Sequence, residues 1–94
     1  IMTQTAAVIR MPKRFDYSSG VEFNQAILAA LEFGGNITLD CSEMDYIDSA
    51  GIGLLVMAQK KVQSSGAALT MNSLKTAPKE ILGLANIQKI IDIE

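Results

Sequence analysis

One stretch of the chain brings together residue types that could do chemistry. Ile47-Asp48-Ser49-Ala50-Gly51-Ile52-Gly53 joins an acidic residue and a serine to two spaced glycines and the start of a helical pattern. The first turn of a helix has unpaired backbone amides and a partial positive charge. A serine placed there can cap the helix, and a phosphate added to its hydroxyl would meet the same amides. From the residues alone, the N-cap interpretation of Ser49 is favoured, because serine is one of the best capping residues.

The composition limits the chemistry that is available. The 94 residues include no histidine, and 8 basic residues stand against 10 acidic ones for a net charge of -2. Because the commonest general base is missing, hydrolytic catalysis is disfavoured, and we predict that the protein is not an enzyme. No run of basic residues marks a nucleic-acid site or an anionic-membrane site. Proteins or small molecules are therefore the expected partners.

Metal, redox and membrane functions are also disfavoured by the sequence. The single cysteine, Cys41, has no disulfide partner and no histidine beside it, so we predict no metal and no cofactor. The acidic residues between Asp40 and Asp48 lack the glycine and glutamate pattern of a calcium loop and are interpreted as solvated turn residues. A reducing, cytoplasmic setting is expected. No apolar run approaches the roughly 20 residues needed to cross a bilayer, so we expect no membrane insertion.

Apolar periodicity predicts strands that alternate with helices. Strands are expected over residues 6–11, 36–40, 67–71 and 87–93. Helices are expected over about 20–33, from Ser49 to the Ser65-Gly66 pair, and between a Thr76 N-cap and a left-handed C-cap at Asn86. This βαβαβαβ order predicts one α/β domain over residues 1–94 with a mostly parallel sheet.

Three local features accompany these predicted elements. Ser19-Gly20-Val21-Glu22 has the spacing of a capping box at the start of the first helix. The apolar side of that helix should consist of Val21, Ile27, Leu28 and Leu31, with Ala30 beside them. In the second helix Gln59 projects into the apolar arc, whereas Met57 lies among polar neighbours. Because sites in such sheets lie at the carboxyl ends of strands, function is expected at the Asp48-Ser49 stretch.

The segment Ile47-Asp48-Ser49-Ala50-Gly51-Ile52-Gly53-Leu54-Leu55 resembles the I-D-S-S-G-L-G-x-L signature of STAS domains, and in particular of bacterial anti-sigma factor antagonists. The resemblance covers nearly the whole chain. Phe15-Asp16 stands where that family has Leu-Asp, and Leu84-Ala85-Asn86-Ile87 resembles its closing M-S-G-L. The resemblance implies a mostly parallel or mixed sheet of four to five strands.

The resemblance also implies a function and a site. In the family, an unphosphorylated domain binds an anti-sigma factor that is also a serine kinase, phosphorylation of one serine releases it, and a PP2C-type phosphatase reverses the change. The phosphorylated serine corresponds to Ser49. The predicted partner-binding residues are Asp16, Asp48, Ser49, Ala50, Gly51, Gly53, Leu54 and Met57.

The sequence departs from the family pattern at two places. Ala50 replaces the second signature serine, which leaves Ser49 as the one hydroxyl in the motif, and Lys13-Arg14 stands where many relatives have Gly-Glu.

Two other functions stay open. One is a STAS adaptor subunit of a lipid or anion transport assembly, in which the serine need not be modified. A small enzyme or nucleotide binder is the third possibility, although no complete catalytic set is visible.

Overall fold

The computed structural model describes residues 7–94. The strands are β1 (Ala7–Arg10), β2 (Arg14–Phe15), β3 (Ile37–Asp40), β4 (Tyr46–Ile47), β5 (Leu69–Asn72) and β6 (Asp92–Ile93). The helices are α1 (Gly20–Phe33), α2 (Ser49–Ser64) and α3 (Thr76–Leu84), and 3-10 turns cover Tyr17–Ser19 and Ile87–Lys89. Ala6, which was assigned to the first strand, lies outside the described residues.

Four strands form a parallel sheet in the order β1-β3-β5-β6. The two-residue strands β2 and β4 form a separate parallel pair. Helices connect successive parallel neighbours, as right-handed crossovers require. The predicted α/β class with a mostly parallel sheet is confirmed. The β2–β4 pair was missed, because two residues are too few to show an alternating pattern.

The core lies between this sheet and the helices. Ile37 and Leu39 of β3 are fully buried, and Phe23 and Ile27 of α1 belong to the same buried cluster. The ring of Phe23 meets Phe15 edge to face, with 4.9 Å between centroids. The inner face of α1 was only partly predicted.

Two residues assigned to the inner face of α1, Val21 and Leu28, are exposed instead. The buried stripe of α1 consists of Phe23, Ile27 and Ala30, which follow each other at spacings of four and three residues. Val21 lies two positions before Phe23, and Leu28 lies one position after Ile27. Both side chains therefore point away from the buried stripe and toward solvent.

Helix α2 buries a polar residue within its apolar face. Leu55, Ala58 and Val62 are buried together with Gln59, which confirms that Gln59 projects into the apolar arc. Its side-chain Nε2 donates a hydrogen bond to the backbone oxygen of Ile90, 2.6 Å away and 31 residues further along the chain. The buried amide thereby joins α2 to the C-terminal segment.

The predicted helix caps need two corrections. Ser19 makes no capping hydrogen bond to α1, and the capping box lies three residues earlier, at Asp16 and Ser19, around the 3-10 turn. The N-cap of α3 is Lys75 rather than Thr76, because the extended backbone at residue 75 makes Thr76 the first helical residue. The left-handed conformation predicted at Asn86 is confirmed, with φ of 59°.

The C-terminal strand is shorter than predicted. Ile87–Lys89 form a 3-10 turn directly after the left-handed Asn86, and pairing with β5 is limited to Asp92–Ile93. The isoleucines that suggested a strand over 87–93 are spaced so that Ile87 and Ile91 reach the core. Burial of these two side chains, rather than strand pairing, accounts for the apolar composition.

Candidate functional site

Two aspartates follow the β2–β4 pair at its carboxyl end. Arg14 pairs with Tyr46 and Phe15 with Ile47, so Asp16 and Asp48 are the next residues of the two strands. Each aspartate has extended backbone and begins a helical segment, the 3-10 turn before α1 in one case and α2 in the other. The predicted location of the site, at the carboxyl ends of parallel strands, therefore contains two similar turns.

Asp48, and not Ser49, is the N-cap of α2. Its Oδ1 accepts a hydrogen bond of 3.0 Å from the Gly51 backbone N–H, and its Oδ2 accepts one of 3.5 Å from the Tyr46 hydroxyl. Aspartate caps as well as serine does, so the sequence alone did not decide between the neighbours. The extended backbone falls at Asp48, which makes Ser49 the first helical residue.

Ser49 is exposed at the end of the helix. Among residues 7–94 its hydroxyl has no hydrogen-bond partner, because Asp48 has taken the capping role. The Gly51 amide is satisfied by Asp48, and the Ile52 amide bonds the Asp48 carbonyl. The amides of Ser49 and Ala50 are the remaining first-turn donors, and they lie next to the Ser49 side chain. A hydroxyl in this position can be modified without breaking a bond within the chain.

Four predicted partner-binding residues lie on the surface of α2. Ser49, Ala50, Gly53 and Met57 are exposed, and the side chain of Met57 retains 59% of its accessible surface. Ser49, Gly53 and Met57 are spaced four residues apart and share one side of the helix. We call these four residues the α2 strip.

Leu54 lies at the border between α2 and α1. It is half-buried, and its side chain is 3.4 Å from the point where a Cβ on Gly20 would stand. The residue therefore packs against the first turn of α1 while keeping part of its surface open. It continues the α2 strip toward the neighbouring helix.

Gly51 is buried, unlike the other glycine of the motif. A Cβ at this position would lie 2.5 Å from the Phe15 backbone oxygen and 2.9 Å from a side-chain carbon of Ile47. Gly53 has no atom within 4 Å of the same point. The missing side chain of Gly51, one of the predicted partner-binding residues, therefore allows close packing within the chain, because β2 occupies the space beside it.

The carboxylate of Asp16 is occupied within the chain. It accepts hydrogen bonds from the Ser18 hydroxyl, from the Ser18 N–H at 3.0 Å and from Arg14 Nε at 2.9 Å. These donors, led by the Ser18 hydroxyl, lower the pKa of Asp16 below its usual value. Asp16 is 8% exposed. Asp16 therefore offers a partner less accessible surface than the residues of the α2 strip do, because its carboxylate is hydrogen-bonded within the turn.

Arg14 and Tyr46 connect the two turns, although neither was among the predicted partner-binding residues. The guanidinium carbon of Arg14 lies 4.0 Å from the centroid of the Tyr46 ring, a cation–π contact. Arg14 bonds Asp16, and the Tyr46 hydroxyl reaches Asp48. A signal was present, since Arg14-Phe15-Asp16 and Tyr46-Ile47-Asp48 both place an apolar residue before an aspartate at a strand end.

A further ion pair holds the neighbouring loop. Lys75, before α3, bonds the carboxylate of Asp45, before β4. This bond lowers the pKa of Asp45. The loop that carries Asp48 and Ser49 is thus connected to α3 as well as to β2.

Residues 7–94 contain neither a metal site nor a membrane-spanning helix. That part of the chain contains no group of three or more Cys, Asp or Glu side chains arranged to hold a metal ion. None of its helices combines the length and the apolar character needed to cross a bilayer. Cys41 is buried, and burial raises the pKa of its thiol to about 12.

The known proteins that are similar to this chain include ones described as anti-sigma factor antagonists. The curated anti-sigma-B factor antagonist of Bacillus subtilis (strain 168) is 22% identical over 85 residues, which cover 90% of this chain and 78% of that protein. A crystal structure of a candidate anti-sigma factor antagonist from Thermotoga maritima is 27% identical, with a TM-score of 0.77, and the match covers 92% of this chain and 77% of that one.

The fold is shared with a second structure of the Thermotoga protein, determined by NMR. Its TM-score is 0.81 at 24% identity, and the match covers 95% of this chain and 73% of the other. The family model described as "Mlab, STAS domain" matches residues 2–92. Because this match spans almost the whole sequence, the chain belongs to the STAS domain family.

Proposed function

We propose that the protein is an anti-sigma factor antagonist that acts by partner switching. Unphosphorylated, it binds an anti-sigma factor that is also a serine kinase, and phosphorylation of Ser49 releases that partner. A PP2C-type phosphatase restores the binding form, and the cycle takes place in the cytoplasm. The names of the Bacillus and Thermotoga proteins support the antagonist class over the transport adaptor.

The observation that carries the proposal is that Asp48, and not Ser49, caps α2. Asp48 caps α2, and Ser49 presents an exposed hydroxyl without a partner among the described residues. A serine that capped the helix would lose that hydrogen bond on modification, at a cost of about 1 kcal/mol. Ser49 carries no such cost. Ala50 leaves no second hydroxyl in the first turn to compete for phosphate.

The electrostatic effect of a phosphate would act mainly on the partner. A phosphoserine carries about -1.5 to -2 charges at neutral pH. Inside the chain the free amides of Ser49 and Ala50, at the positive end of α2, would stabilise it. A partner surface built for a neutral hydroxyl beside Asp48 would instead face repulsion and the cost of burying charge. The switch therefore needs no refolding of the domain.

The partner surface follows the α2 strip. Met57 supplies an exposed apolar side chain two turns from Ser49, and Gly53 between them has open space around it. This combination admits close approach of another backbone and adds an apolar contact at its far end. Asp48 and Leu54 border the strip.

Phosphate transfer gives the first test. The purified protein is incubated with ATP and, one at a time, the serine-kinase anti-sigma factors of the source organism, and the phosphate is located by mass spectrometry. We expect label on Ser49, loss of label in Ser49→Ala, and full label in Ser64→Ala, which changes an exposed serine at the other end of α2. Label that persists in Ser49→Ala would contradict the proposal.

Binding gives the second test, measured by calorimetry with the kinase that passes the first. We expect Ser49→Ala to bind, Ser49→Asp to bind at least about tenfold more weakly, and Gln63→Glu to bind like wild type. Gln63→Glu adds a similar charge on the same helix at a distance from the site. A chain that binds transport-assembly subunits equally well with and without Ser49→Asp would instead be an adaptor.

A further inference from the structure

A pocket separate from the α2 strip lies between the end of β1 and the first half of α1. Its volume is about 220 Å³. The side chains of Ile9, Phe23 and Ala26 form its walls, and the buried Met11 and Phe15 close its floor. The lining is therefore mostly aliphatic and aromatic.

The polar groups at this pocket lie at its rim or are already bonded. Arg10 and Glu22 are exposed residues of opposite charge. The Ser19 hydroxyl donates to the Arg14 backbone oxygen at 3.1 Å and accepts from the Asp16 N–H at 3.3 Å. Its hydrogen is thus committed within the chain. The interior offers a ligand apolar contact, with polar contacts limited to the mouth.

We propose that this pocket binds a small molecule through a compact apolar group, such as an aromatic ring or a branched aliphatic end. An apolar cavity of about 150 Å³ is large enough to hold benzene, so the volume here suffices for a substituted ring. It is smaller than the roughly 300 Å³ at which drug-sized ligands begin. The site does not depend on the proposed switching function.

The floor of the pocket touches the candidate site. Phe15 lines the pocket, and its backbone oxygen and a ring carbon both lie against Gly51 in the first turn of α2. A ligand that moved Phe15 would therefore press on the segment that carries Ser49. The nuclear magnetic resonance signal of the Gly51 amide serves as a reporter of that contact.

The test is a titration of the whole chain with toluene, followed by NMR. We expect saturable shifts of the methyl groups of Ile9, Met11 and Ala26, together with nuclear Overhauser contacts between toluene and the Phe23 ring. Shifts that do not saturate, or that centre on the exposed Val21 and Leu28, would overturn the proposal. These wild-type contacts decide the matter even where a variant fails to fold.

A matched pair of variants on α1 locates the binding. Ala26→Leu fills the pocket and should weaken toluene binding about tenfold or more. Ala29→Leu makes the same change at an exposed position outside the pocket and should leave affinity unchanged. Equal binding by a folded Ala26→Leu variant and by wild type would show that the ring does not occupy this pocket.

Discussion

The turns at Asp16 and Asp48 start from the same geometry and differ in what their serines do. Both aspartates follow paired parallel strands with extended backbone and accept a hydrogen bond from an amide that follows. At the Asp16 turn, Ser18 and Ser19 bond back to the turn, and Arg14 closes it. At the Asp48 turn, Ser49 bonds nothing among the described residues and faces solvent. One turn is built for stability, and the other leaves a hydroxyl free.

The largest effect should come from Gly51, three positions after Asp48, where the other turn has Ser19 three positions after Asp16. Gly51→Ala places a methyl group against the Phe15 oxygen and should lower the free energy of unfolding by about 3 kcal/mol. Urea unfolding measures this loss of stability. The control Gly53→Ala, with open space around it, should raise stability by roughly 0.5 to 1 kcal/mol. Equal effects at the two glycines would refute the contact.

Removal of each aspartate should rank the two turns. Asp48→Ala removes one cap and should cost about 1 kcal/mol. Asp16→Ala should lower the melting temperature further, because Ser18 and Arg14 lose their acceptor as well. Thermal unfolding followed by circular dichroism checks the order. A larger loss at Asp48 would mean that the Asp16 turn is not the more tightly bonded one.

Replacing a serine in each turn should change the free energy of unfolding in one turn and not in the other. Ser19→Ala removes hydrogen bonds to Asp16 and Arg14 and should cost about 1 kcal/mol. Ser49→Ala removes none and should change stability by less than about 0.5 kcal/mol. Denaturant unfolding of both variants provides the comparison. A substantial loss in Ser49→Ala would show that its hydroxyl has a structural partner after all.

The smallest effect concerns pH. Because the folded state lowers the pKa of Asp16 below the ordinary value of 3.8, its charge adds stability above that value. That contribution is lost as pH falls through the lowered pKa. Asp16→Asn should therefore be less stable than wild type at pH 7, and the difference should shrink toward pH 2. A difference that stays constant with pH would rule out a role for the charge.

The sequence was sufficient for the long elements and insufficient for the short ones. The bounds of α1 and the end of α2 follow from apolar periodicity and from Gly34 and Gly66, which supply the expected breaks. The β2–β4 pair has two residues in each strand, which leaves no period to detect. At the C-terminus, core burial of Ile87 and Ile91 imitated the composition of a strand.

The sequence singled out the Asp48-Ser49 stretch as the candidate site, but the roles of its residues depend on tertiary contacts. Asp48 and Ser49 are equally good capping residues, and only the backbone conformation assigns the cap to Asp48. Gly51 and Gly53 look alike in the sequence, and only the position of Phe15 makes one of them buried. The contact between Arg14 and Tyr46 depends on strand pairing that local patterns do not reveal.

The hydrogen bond from Gln59 to Ile90 bears on how the chain opens in solution. A two-residue strand such as β6 would ordinarily open locally, without the rest of the domain, and its amide hydrogens would then exchange rapidly. Here, separation of the C-terminal segment would strip the buried Gln59 amide of its acceptor in the middle of α2. The last residues should therefore exchange their hydrogens together with the helix rather than ahead of it.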